Sequence, residues 1–73
     1  MEISISDMNR ATDLIAYLRA AGFDAMCITG NRVAVFSPPH RTAREARVEV
    51  AVYVTAWRAL NPGVAAELVA AAP

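Results

Sequence analysis

The chain has no lysine, one cysteine and one histidine among its 73 residues, and each shortage removes a class of function. Cys27 is alone, so no disulfide can form within a monomer. One Cys and one His cannot supply the four tetrahedral ligands of a structural zinc. Cys27 becomes a nucleophile only beside a base, and the single imidazole, His40, lies far along the chain. The carboxylates at Asp7, Asp13, Asp24, Glu45, Glu49 and Glu67 are scattered, with no apolar pair whose pKa values would be split for acid-base work. With 3 glycines there is no glycine-rich loop to wrap a phosphate. These shortages lead us to expect no enzymatic activity, metal, cofactor or small-molecule substrate.

What is present is apolar and electrically balanced. The 7 cationic residues, all arginine, match 7 carboxylates for a net charge of 0, so no global field steers the protein toward nucleic acid or an anionic membrane. Arginine without lysine, together with abundant alanine, reads as the coding bias of a high-GC bacterium or of a phage infecting one. Hydrophobic residues make up 56% of the chain, yet the uncharged runs are too short to span a bilayer. Met1-Glu2 leads into Ile3-Ser4-Ile5 with no basic region, apolar stretch or cleavage site of a leader, which sets a cytoplasmic expectation. Residues 1–73 are read as one small domain. A chain of this size buries only about 60% of its unfolded surface, and its core rarely supplies more than roughly 3–5 kcal/mol. With disulfides and zinc excluded, a second subunit is the remaining staple, and a homodimer or another protein partner is expected.

Periodicity places the elements. Glu2 to Ser6 alternates polar and apolar residues as a short strand does. Ser6 or Asp7 can cap a first helix in which Met8, Ala11, Leu14, Ile15 and Leu18 form one stripe, and Gly22 closes it. Gly30-Asn31 between two apolar runs signals a two-residue hairpin turn. That turn predicts Ile28 opposite Val33, Cys27 opposite Ala34, Met26 opposite Val35 and Ala25 opposite Phe36. Met26, Ile28, Val33 and Val35 then face the core, and Ala25, Cys27, Thr29, Arg32, Ala34 and Phe36 the open side.

After the rigid Ser37-Pro38-Pro39-His40 break, Thr42-Ala43-Arg44-Glu45 has the form of a capping box. The segment it opens runs to about Leu60. Its alternating Val48, Val50, Val52 and Val54 suit a strand, but its length and caps favour helix, with Ala43, Ala46, Val50, Tyr53, Val54, Trp57 and Leu60 on the apolar face. Tyr53 and Trp57 are read as core. Asn61-Pro62-Gly63 stops the helix, residues 64–69 are either a helical turn or a closing strand, with strand preferred, and Ala70-Ala71-Ala72-Pro73 is expected to fray. The expected fold is α+β, a two-layer ferredoxin-like βαββαβ sandwich with both helices on one face of an antiparallel sheet.

Two surfaces could bind something. Surplus apolar residues mark an interface: Ala25, Cys27, Ala34 and Phe36 on the open sheet face, and Val48, Val52 and Ala59 on the flank of the second helix. The alternative is weak anion or nucleic-acid binding through His40, Arg41, Arg44, Arg47 and Arg58, the last three gathered with Thr55 on one helical face. Few aromatics are available to stack bases, since Phe36 stands alone on the open face.

Leu18-Arg19-Ala20-Ala21-Gly22-Phe23-Asp24-Ala25, Arg32-Val33-Ala34-Val35-Phe36 and Arg44-Glu45-Ala46 fall where a helix end, a third strand and a second helix start would stand in a SPOR domain, a peptidoglycan-binding module. Between Asn9 and Ala46 the chain resembles that family, over roughly half its length. The resemblance implies the strand-helix-strand-strand-helix-strand order, and a glycan surface lined by Ser4, Ser6, Arg32 and Phe36. Family members work outside the cytoplasm on a membrane tether and linker, which this sequence does not display. The resemblance is therefore read for topology.

Overall fold

The computed structural model of the chain describes residues 1–69, so the fraying expected at Ala70 to Pro73 lies outside the described residues. Strand β1 (Glu2–Ile5) leads through a 3-10 turn (Met8–Arg10) into helix α1 (Ala11–Ala20). Then come β2 (Asp24–Ile28), β3 (Arg32–Phe36), α2 (Ala43–Leu60) and β4 (Ala66–Leu68). The strands form one antiparallel sheet in the order β2-β3-β1-β4. The chain is α+β, with four strands and two helices.

Local chemistry sets the helix ends. The Asp7 carboxylate accepts the Asn9 amide and opens the 3-10 turn. Gly22, at φ +98°, ends α1: its amide donates to the Arg19 carbonyl and the Phe23 amide to that of Leu18. This is the Schellman arrangement, which satisfies the last carbonyls of the helix. At α2 the Thr42 hydroxyl accepts the Glu45 amide and the Glu45 carboxylate accepts the Thr42 amide, each at 3.1 Å. That reciprocal cap helps a valine-rich segment coil although valine favours strands: starting a helix is the costly step of its formation, and the capping box stabilises the first turn of α2.

The hairpin departs from expectation by one residue, with consequences along a whole strand. Ile28 pairs with Arg32, Met26 with Ala34 and Asp24 with Phe36, so the loop is Thr29-Gly30-Asn31, with Gly30 at φ +77° and Asn31 at φ +57°. Two adjacent left-handed residues bend the chain in a three-residue loop as readily as in a two-residue turn. A slip of one residue moves every side chain of a strand to the other face. β3 keeps its expected orientation and β2 is inverted. Ala25, expected on the open side, is in the core at 0% exposure, and Met26, expected in the core, is 51% exposed.

One layer of side chains fills the space between helices and sheet. Ile3 and Ile5 from β1, Ala25, Val33 and Val35, and Ala66 from β4 meet Ala11, Leu14 and Leu18 of α1 and Ala46, Val50, Val54 and Trp57 of α2. Both helices thus cover the same sheet face, and Asp24, Met26, Arg32 and Phe36 stay exposed on the opposite one. Tyr53 bridges the helices, its ring edge-on to Tyr17 at 6.3 Å and to Phe23 at 6.0 Å. Across the domain, Arg10 donates to the Asn61 side-chain oxygen while the Asn61 side-chain nitrogen (Nδ2) donates to the Trp57 carbonyl, tying the start of α1 to the end of α2.

Candidate interaction surface

α2 is apolar on two opposite sides. Its inner side carries the core residues named above, and its outer side shows Val48 at 61% and Val52 at 62% exposure. Ala51, Thr55 and Ala59 stand exposed beside them, and Val48, Ala51, Val52 and Thr55 line a shallow concavity. Exposed valine is unfavourable twice over, since it leaves apolar area in water and costs about 0.5 kcal/mol of helix propensity relative to alanine. Thr55 adds little polarity, because its hydroxyl is turned back to donate to the Ala51 carbonyl at 2.9 Å.

The open sheet face is the second apolar surface, with a membership that differs from the expected one. Phe36, 52% exposed, and Ala34 belong to it as expected. Ala25 and Cys27 do not, because both lie in register with inward-facing residues of β3, Val35 and Val33. Cys27 is nonetheless exposed, on the outermost strand. Met26 and Ile28 take their places. They were missed because the hairpin loop was read one residue short. The other half of this face is polar, with Glu2 and Arg32 joined at 3.1 Å.

The free edge of β2 is partly closed. Val35 spends both its amide and its carbonyl on Met1, so by antiparallel alternation Ala34 and Phe36 turn toward β2, and Ala25 and Cys27 point their backbone groups outward. Arg19 donates to the Ala25 carbonyl at 2.8 Å. A side chain lying over one of two outward-facing residues blunts the edge against strand addition.

The arginines are dispersed in their engagements. Arg41 pairs with Glu49, and Arg47 donates to the Val69 carbonyl at 2.8 Å. Arg44 and Arg58 are exposed and form no ion pair among the described residues. His40 is exposed in the loop before α2. The capping contacts with Thr42 hold the Glu45 carboxyl below its ordinary range. Among the described residues no group of three or more His, Cys, Asp or Glu is placed to hold a metal ion, and no helix is long and apolar enough to cross a membrane.

No protein-family model matches the chain, and no curated protein or solved structure matches it significantly.

Proposed function

We propose that the chain is a small, non-enzymatic protein-interaction module that self-associates. The observation that carries this reading is the outer side of α2, where Val48 and Val52 occupy positions that water would leave to charged residues. Contiguous exposed apolar patches are characteristic of partner sites, and a domain with so small a core gains stability from any species that binds only the folded state. The sheet order β2-β3-β1-β4, with one helix between β1 and β2 and another between β3 and β4, supports assigning the ferredoxin-like arrangement. It also supports reading the SPOR resemblance as a statement about chain course. A cytoplasmic module of a high-GC bacterium or phage is the setting we infer.

Anion or nucleic-acid binding is the weaker reading, since Arg41 and Arg47 are already engaged within the domain. Sedimentation velocity over a concentration series tests the proposal. The wild-type chain is expected to shift from monomer to dimer, and Val52→Asp to remain monomeric with an unchanged far-UV spectrum. A wild-type chain that stays monomeric at every concentration would end the self-association reading.

A further inference from the structure

We draw no further inference here: the strongest candidate, the exposed apolar outer side of α2 at Val48, Ala51, Val52 and Thr55, carries nothing beyond the self-association already proposed, because nothing in the structure shows what covers it.

Discussion

The two helices solve the same packing problem differently. α1 buries Ala11, Leu14 and Leu18 and turns Thr12, Asp13, Ala16 and Arg19 outward, so each of its sides has one solvent. α2 buries Ala46, Val50, Val54 and Trp57 and turns two valines outward as well. A helix that only covers a sheet needs the first pattern. The second leaves α2 apolar on both sides, a pattern that α1 does not share although both helices cover the same sheet.

Five substitutions sharpen this comparison. The largest effect is expected in β2, where Ala25→Asp buries an unpaired charge at a fully enclosed site and should cost about 3–5 kcal/mol, enough to unfold the chain in urea titration. Its neighbour Met26→Asp, on the open face, should stay within about 0.5 kcal/mol. On α2, Val50→Ala is expected to lose about 2 kcal/mol from the core. Val52→Ala should carry the opposite sign, stabilising the monomer by up to about 0.5 kcal/mol through helix propensity while weakening association. At the helix start, Thr42→Ala removes the cap and should cost about 1 kcal/mol.

The smallest effect concerns pH. Hydrogen bonding from the Thr42 amide, then from its side chain, lowers the folded pKa of Glu45 below its ordinary 4.5. Its contribution is therefore present above that ordinary value and lost as pH falls through the lower folded value. Glu45→Gln should flatten the acid limb of the urea midpoint against pH. An unchanged acid limb would show that the cap does not act through the carboxylate.

How far the sequence was legible follows from where the deciding information lies. Caps and stops are local: Thr42 with Glu45, Gly22 and Asn61 could be read from their own neighbourhoods, and the choice of helix over strand for residues 47–55 followed from them. Strand β4 was marked by Pro62-Gly63 and the apolar residues after it. The facing of β2 was not local. It depends on whether Thr29 belongs to the strand or to the loop, and Gly30-Asn31 suits both geometries, so Ala25 and Cys27 were set on the wrong side and Met26 and Ile28 with them. β3 survived because its facing is also set by its pairing with β1, through Ile3 opposite Val33. Ala51 and Thr55 on the outer stripe were visible in the helical periodicity but are easily grouped with the arginines beside them. The engagement of Arg47 with Val69 and of Arg10 with Asn61 spans sequence distances that no local pattern encodes.

The central claim is that the outer side of α2 is covered by another copy of the chain. The most direct measurement is the urea midpoint over roughly a hundredfold range of chain concentration, for the wild type and for Val52→Asp. Binding that occurs only between folded chains makes stability rise with concentration. The account predicts a gain of about 1–3 kcal/mol across the range for the wild type and a flat response for Val52→Asp. A wild-type midpoint independent of concentration would contradict it.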